Sequence, residues 1–233
     1  MAMDFSLFNV RSYPTVSVRE GYAEWVHSYE STVQDEMDLR LLRSIHAVAW
    51  HTIRRVADMA CGTGRIGCWP KQQGVEQIDG LDLTPEMLAV AREKGVYDRL
   101  IVADMRSTPF TEATYDLVAE VLACEHIPDL GPLYLEASRI VRPGGVFVIV
   151  GYHPHFLLNG IPTHFNRANG EPMAIRTSVH LLSDHVKAAM GIGFTLLEMD
   201  ERVIDDSFIA VKPKWEKLRN RPLSFCMVWR RDG

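Results

Sequence analysis

The chain has 233 residues and a formal net charge of −5 at pH 7, with 47% hydrophobic and 24% charged residues. This is the balance of one globular domain, and its slightly acidic charge argues against a nucleic-acid partner, because nucleic-acid binders usually carry a basic face. No apolar run approaches the roughly 18–20 residues of a membrane span, and the first residues lack the layout of a secretory signal, so we expect no membrane partner.

The four cysteines, Cys61, Cys68, Cys124 and Cys226, form no CxxC pair. Disulfides are rare in reducing compartments, so we expect reduced thiols and a cytoplasmic protein. The composition leaves the oligomeric state open between a monomer and a homodimer.

A helical pattern follows an irregular start at residues 1–17 and extends from Arg19 to about Ala49. Its aromatic and apolar residues recur on one helical face: Tyr22, Trp25, Val26 and Tyr29. The stretch 1–50 is therefore predicted to be a helical cover.

Strands and helices alternate after this cover. The predicted strands are 55–59, 77–83, 100–103, 115–122, 146–151, 194–202 and 223–230. The predicted helices are 64–73, 85–94, 130–141 and 183–190. Pro70 should kink or stop the first of these helices near Trp69. The alternation predicts one α/β domain over residues 1–233, with a mostly parallel sheet and helices on both faces. Residues 152–182 do not fit it and are predicted to be a lid-like insertion after the fifth strand.

A glycine loop follows the first strand, which ends near Asp58. It reads Gly62-x-Gly64-x-x-Gly67, and Asp82 follows about twenty residues later, at the end of the second strand. Loops of this kind at the carboxyl ends of parallel strands bind nucleotide-like cofactors. The motif alone also fits a dinucleotide fold, so it leaves hydride transfer and methyl transfer open.

The surrounding sequence, VADMACGTGR at 56–65, resembles the first motif of the class I S-adenosylmethionine (SAM) dependent methyltransferases. The resemblance continues in the family's order through four further segments: GLDLTPEML (80–88), VADM (102–105), YDLVAEVLACEHIPD (115–129) and RIVRPGGVFVIV (139–150). It implies a Rossmann-like fold, SAM as cofactor and methyl transfer to a small-molecule acceptor. The broad family that this chain resembles includes ubiquinone-biosynthesis and natural-product enzymes.

The resemblance also implies a set of cofactor-binding residues. These are Tyr22, Trp25, Tyr29, Asp58, Ala60, Gly62, Gly64, Asp82, Leu83, Met87, Asp104, Met105 and Leu122. Backbone N–H groups at the glycine loop would meet the methionine carboxylate, and Asp58 would meet the ammonium. Asp82 can accept from both ribose hydroxyls, and Asp104 from the adenine amine. The alternative for each aspartate is a helix cap or a turn, and the alternative for the aromatic helix is a core stripe. Ala60 stands where the family's pattern has its middle glycine.

Two histidines are candidate catalytic residues on the acceptor side. His126 follows the fourth strand and could orient the acceptor, take its proton or cap the next element. His155 lies in the insertion, whose histidines and aromatic rings could line an acceptor pocket or simply pack. His153, His155 and His164 lack a supporting cysteine or carboxylate at familiar spacing, so no metal site is predicted.

Two other functions stay open from the sequence. An NAD-dependent oxidoreductase would need a hydride site such as Tyr-x-x-x-Lys, which is not found in the right place. A non-catalytic SAM-binding protein would keep the aspartates and glycines without turnover.

Overall fold

The computed structural model describes residues 2–33 and 35–233. The strands are β1 Met3–Asp4, β2 Thr15–Val16, β3 Arg55–Met59, β4 Gln77–Asp82, β5 Arg99–Val102, β6 Tyr115–Val121, β7 Val141–Tyr152, β8 His164–Asn166, β9 Pro172–Ile175, β10 Ser178–Val179, β11 Phe194–Val203 and β12 Pro222–Arg231. The α-helices are α1 Val18–Trp25, α2 Tyr29–Thr32, α3 Leu39–Ser44, α4 Cys68–Gln72, α5 Pro85–Glu93, α6 Gly131–Ile140, α7 Pro154–Leu158, α8 Leu182–Ala189 and α9 Asp206–Val211.

A seven-stranded sheet runs in the order β11-β12-β7-β6-β3-β4-β5 through the described part of the chain. Strands β7, β6, β3, β4 and β5 pair in parallel, whereas β12 pairs antiparallel to both β7 and β11. Parallel strands bring their carboxyl ends to one edge, where open α/β sheets hold their ligands. The predicted mostly parallel sheet is confirmed.

Apolar side chains cover both faces of this sheet. Val56 and Leu117 are paired in register and pack in one buried cluster, while their neighbours Ala57 and Val118 pack in the other. This alternation follows from the two-residue period of a strand. A strand buried on both faces must be apolar throughout, which explains the continuous apolar run of β7.

The insertion and the N-terminal residues together form a cover over the sheet edge. Strands β8 and β9 make a small sheet with β2, and β10 pairs with β1. Ser17 caps the start of helix α1 and forms a capping box with Glu20. The predicted lid-like insertion is thus a helix and three short strands, tied to residues 3–16 by β-sheet pairing.

The predicted continuous helix from Arg19 to Ala49 is wrong. The chain instead forms the shorter helices α1, α2 and α3. The Ser31 and Thr32 hydroxyls both donate to the Ser28 carbonyl, at 2.8 and 3.1 Å, and Thr32 also accepts from the indole N–H of Trp25. Such local side-chain bonds compete with the helical pattern.

The expected effect of Pro70 is also wrong. Helix α4 begins only at Cys68, so Pro70 lies in its first turn. Backbone N–H groups there have no partner within the helix, and proline removes nothing. Sequence periodicity also missed α9 and the 3₁₀ helix Pro213–Leu218. None of the helices within residues 2–33 and 35–233 has both the length and the apolar character that a membrane crossing needs.

Candidate functional site

A cavity of about 500 Å³, called the main cavity here, lies where the carboxyl ends of β3, β4, β5 and β6 meet. The residues singled out from the sequence that line it are Tyr22, Tyr29, Ala60, Gly62, Asp82, Leu83, Met87, Asp104, Met105, Leu122 and His126. Sequence reasoning missed other lining residues, among them Thr84, Arg106, Ile127, Arg176 and Ser178.

Asp82 lines the main cavity and holds the glycine loop in place through hydrogen bonds. Its carboxylate accepts from the backbone N–H of Gly62 at 2.9 Å and from that of Thr84 at 2.8 Å. Burial raises the pKa of the Asp82 carboxyl, and these N–H donors oppose the rise. Each oxygen keeps a lone pair, so the carboxylate can still accept from a ligand hydroxyl.

Tyr97 explains the other glycines of the loop, and the sequence analysis missed it. A Cβ at Gly64 would lie 2.8 Å from the Tyr97 ring, and Cβ atoms at Gly67 and Gly80 would come equally close or closer to it. The Tyr97 hydroxyl donates to Oδ2 of Asp58 at 2.6 Å. The missing side chain of Gly64 therefore leaves space for Tyr97, which holds Asp58 in place. Gly64 itself does not line the main cavity.

Asp58 lies in a small side cavity of about 20 Å³ that shares Tyr29, Ala60 and Gly62 with the main cavity. Arg65 also lines it and pairs with the buried Asp38. Burial raises the pKa of the Asp58 carboxyl to about 7, and the Tyr97 hydroxyl lowers it in part. The side cavity thus presents one carboxylate and one guanidinium together.

Two residues without glycine's freedom take left-handed backbone conformations at the main cavity. Ala60 has φ 57° and Leu122 has φ 57°. Such conformations cost about 1–2 kcal/mol per residue and concentrate at functional sites. Ala60 occupies the position that the family's pattern gives to glycine, and its positive φ is the physical reason for that preference.

Asp104 forms a bidentate ion pair with Arg106. The Arg106 Nη2 and Nε atoms lie 2.6 and 3.0 Å from the two carboxylate oxygens of Asp104. The guanidinium lowers the pKa of the Asp104 carboxyl. If Asp104 is to accept from an adenine amine, as predicted, it must share its oxygens with Arg106.

Both ring nitrogens of His126 are engaged. Nδ1 lies 2.8 Å from the carbonyl oxygen of Arg176, and Nε2 lies 2.8 Å from the hydroxyl of Tyr22. A carbonyl only accepts, so Nδ1 carries the proton, and in a neutral ring Nε2 accepts from Tyr22. Neither nitrogen is free in this conformation, so His126 can take a proton from an acceptor, or hydrogen-bond to it, only after one of these two contacts breaks.

Besides Asp58 and Gly64, two predicted site residues do not line the main cavity. Trp25 lines a second cavity on the other side of Tyr22 and Tyr29. His155 is exposed in α7, and its backbone N–H donates to Nδ1 of His153 at 3.0 Å. The Nε2 of His153 is bonded to Glu201 at 2.7 Å. Within residues 2–33 and 35–233, no group of three His, Cys, Asp or Glu side chains is arranged to hold a metal ion.

Comparison with solved structures supports the fold. The crystal structure of a SAM-dependent methyltransferase from Mesorhizobium loti superposes with a TM-score of 0.65 at 23% identity, covering 84% of this chain and 98% of that one. A likeness at this identity establishes the architecture alone.

Comparison with sequences adds the family. The malonyl-[acyl-carrier protein] O-methyltransferase of Xylella fastidiosa is 28% identical over 156 residues, or 63% of this chain and 52% of that protein. The demethylmenaquinone methyltransferase of Thermus thermophilus is 32% identical over 107 residues, or 43% of this chain and 48% of that protein. Residues 57–149 match the family described as the methyltransferase domain. Over these residues the chain is similar to the class I SAM-dependent methyltransferases, as the sequence motifs indicated. It spans about half the length of these two curated relatives.

The predicted resemblance to this family, the Rossmann-like fold and SAM as the cofactor are confirmed. The residues of this chain also fit that cofactor. In the side cavity, Nε of Arg65 and Oγ1 of Thr63 are buried without a hydrogen-bond partner among the described residues. These donors without partners suit the carboxylate of an amino acid, and the Asp58 carboxylate beside them suits its ammonium group. The role of each residue remains a prediction.

The pKa of Asp58 makes a pH dependence of cofactor binding testable. Only the ionised carboxylate pairs with an ammonium, so we expect affinity for S-adenosylhomocysteine to rise between about pH 5.5 and pH 7.5. Below the pKa of about 7, each fall of one pH unit should lower the affinity for S-adenosylhomocysteine by up to about tenfold. Calorimetric titrations at several pH values measure this, and Asp58→Asn should flatten the slope. An equal slope in both proteins would assign it to another group, such as Asp82.

The same pKa shift makes the stability of the free protein fall as the pH rises, whereas cofactor affinity rises. A raised carboxyl pKa means that the folded state favours the protonated form of Asp58. Its stabilising contribution is therefore complete below the unfolded pKa of about 3.9 and is lost as the pH rises through about 7.

Proposed function

We propose that this protein transfers the methyl group of SAM to a small-molecule acceptor. One observation carries the proposal: the main cavity joins the glycine loop and Asp82 to His126 and Arg176 in a single space. The domain family and the two methyltransferase relatives support it. No comparison favours the NAD-dependent oxidoreductase or the non-catalytic binder.

In this proposal, the cofactor-binding residues divide by chemistry. Bound SAM supplies a methyl group on a positively charged sulfur. Asp82 accepts from the ribose hydroxyls, Asp58 and Arg65 hold the amino-acid end, and Met105 covers the adenine. Their task is placement, because in-line methyl transfer depends mainly on how the reacting atoms are held.

Tyr22 and His126 both line the main cavity and are hydrogen-bonded to each other. Their hydrogen bond ties α1 to the 3₁₀ helix Cys124–His126, which follows β6. Since α1 also belongs to the N-terminal cover, this bond holds the cover against the reaction site and helps to exclude water. We assign His126 a positioning role that acts through Tyr22.

A screen for methyl transfer tests the proposal. The protein is incubated with methyl-labelled SAM and separate pools of phenols, amines, carboxylates and aromatic carbon acceptors, and labelled products are counted. We expect label in at least one pool. Label in none of them, with a folded protein that binds SAM, would leave the non-catalytic binder as the correct function.

A double-mutant cycle tests the positioning role of His126. Tyr22→Phe and His126→Asn should each lower kcat/KM by about fivefold, the effect of losing one hydrogen bond worth about 1 kcal/mol. The double variant should lose little more than either single variant, since both remove the same bond. Steady-state kinetics with an acceptor from the screen measure these effects.

The same cycle separates the alternatives for His126. A general base would give a fall in kcat of about 10²–10⁴-fold in His126→Asn and almost none in Tyr22→Phe. A cap would lower the melting temperature of His126→Asn and leave the kinetics of the folded fraction unchanged.

The compartment and the assembly state complete the proposal. We place the protein in the cytoplasm, and its four cysteines, all of them free thiols, support this placement. It is proposed to act as a monomer or a homodimer, which light scattering on the purified protein will decide.

A further inference from the structure

A second cavity of about 460 Å³, called the aromatic cavity here, begins at the carboxyl end of β7. The rings that line it are Trp25, Tyr152, Phe156, Phe165, Phe208 and Trp215. Phe156 stacks on Tyr152 at 5.5 Å and on Trp215 at 5.0 Å between ring centroids. Its walls therefore suit an apolar or planar ligand.

Packed aromatic rings separate the aromatic cavity from the main cavity. Tyr22 and Tyr29 line the main cavity, and Trp25 lines the aromatic cavity. The Trp25 ring lies 5.8 Å from that of Tyr22 and 5.0 Å from that of Tyr29. The wall between the two cavities thus consists of packed aromatic side chains, and an acceptor in the aromatic cavity would reach the cofactor only if these side chains rotate.

Two lysines give the aromatic cavity a positive charge. Lys212 and Lys214 line it, and neither forms an ion pair with a carboxylate in the part of the chain that the structure describes. Burial and the charge of Lys214 lower the pKa of Lys212. Burial, Lys214, Arg11 and Lys212 likewise lower the pKa of His164, another lining residue. This uncompensated charge is complementary to an anion.

Two buried polar atoms in the aromatic cavity also lack partners. Oγ1 of Thr163 and Nε1 of Trp215 have no hydrogen-bond partner among residues 2–33 and 35–233. Buried donors are nearly always satisfied in folded proteins, by protein groups, water or a ligand. Both atoms can donate to oxygen atoms of a ligand.

We propose that the aromatic cavity binds the methyl acceptor, and that this acceptor is an apolar molecule carrying an anionic group. The rings hold its apolar body, and Lys212 and Lys214 hold the anion, a carboxylate or a phosphate. This inference rests on the proposed function, since it assigns the acceptor of that reaction.

Binding of 2-naphthoate, an apolar carboxylate, tests the charge recognition. Calorimetry on the full chain saturated with S-adenosylhomocysteine compares it with the uncharged 2-naphthamide and with naphthyl phosphate. Lys212→Gln/Lys214→Gln should weaken binding of the anions by at least about tenfold, the effect of losing a charge-assisted hydrogen bond, and leave the amide unchanged. The ratio of the two anion affinities distinguishes carboxylate from phosphate.

Two further variants keep this test decisive. Lys217→Gln is the matched control, because Lys217 is exposed and lines neither cavity. Lys214→Gln alone covers the case in which the double variant misfolds, because only Lys212 donates to the Thr32 carbonyl, at 3.0 Å. Equal naphthoate affinity in the lysine variants and in Lys217→Gln would overturn the proposal.

Inhibition kinetics test whether the aromatic cavity holds the acceptor. With an acceptor from the screen, 2-naphthoate should compete with the acceptor and not with SAM, and its inhibition constant should weaken in the lysine variants. Inhibition that is non-competitive with the acceptor would overturn the acceptor role. Failure of the proposed function is seen separately, as absence of labelled product before any inhibitor is added.

Discussion

Asp82→Ala should weaken the binding of S-adenosylhomocysteine by about a hundredfold, because two bonds to a carboxylate are worth at least about 3 kcal/mol together. The ribose hydroxyls lose their acceptor. The backbone N–H groups of Gly62 and Thr84 lose theirs too, which loosens the glycine loop. Calorimetric titration of the purified variant measures the change.

Asp98→Ala is the control for this experiment. Asp98 also accepts a backbone N–H, from Ile78 at 2.9 Å, but it lies at the other end of β4, away from the main cavity. Its loss should leave cofactor affinity unchanged. If both variants bind alike, Asp82 is a turn residue and does not contact the cofactor.

Gly64→Ala should lower the free energy of unfolding by about 3 kcal/mol, the sum of left-handed strain and overpacking. Gly64 has φ +80°, and a Cβ there would lie 2.8 Å from the Tyr97 ring and 3.1 Å from the Cβ of Ala91. Urea unfolding of the variant and the wild type measures the loss. The displaced Tyr97 should also release Asp58.

Gly62→Ala is the matched comparison. Gly62 has φ +55°, but a Cβ there would meet nothing within 4 Å. We expect a stability loss of only about 1 kcal/mol. Because Gly62 lines the main cavity, the added methyl group should instead weaken cofactor binding. Equal losses of stability in the two variants would contradict the claim that the Tyr97 ring requires glycine at position 64.

The sheet and most of the main cavity could be predicted because they depend on local patterns. Apolar runs predicted the strands, and the carboxyl ends of parallel strands necessarily meet, which brings Gly62, Asp82 and Leu122 together. The resemblance supplied the roles expected of each residue, and these roles remain to be tested.

The remainder depends on contacts between residues distant in sequence. Nothing near Tyr97 indicates that its ring fills the space above three glycines, although their lack of a side chain was the available signal. Trp25 shares a helical face with Tyr22, but α1 ends at Trp25, and the two rings line different cavities. Lys212 and Lys214 lie in a connection that periodicity did not resolve.

Calorimetric titration of the wild-type protein with SAM, S-adenosylhomocysteine and NAD tests the central claim most directly. The account predicts one-to-one binding of SAM and S-adenosylhomocysteine, and no heat from NAD. Binding of NAD, or a folded protein that binds neither SAM nor S-adenosylhomocysteine, would contradict it.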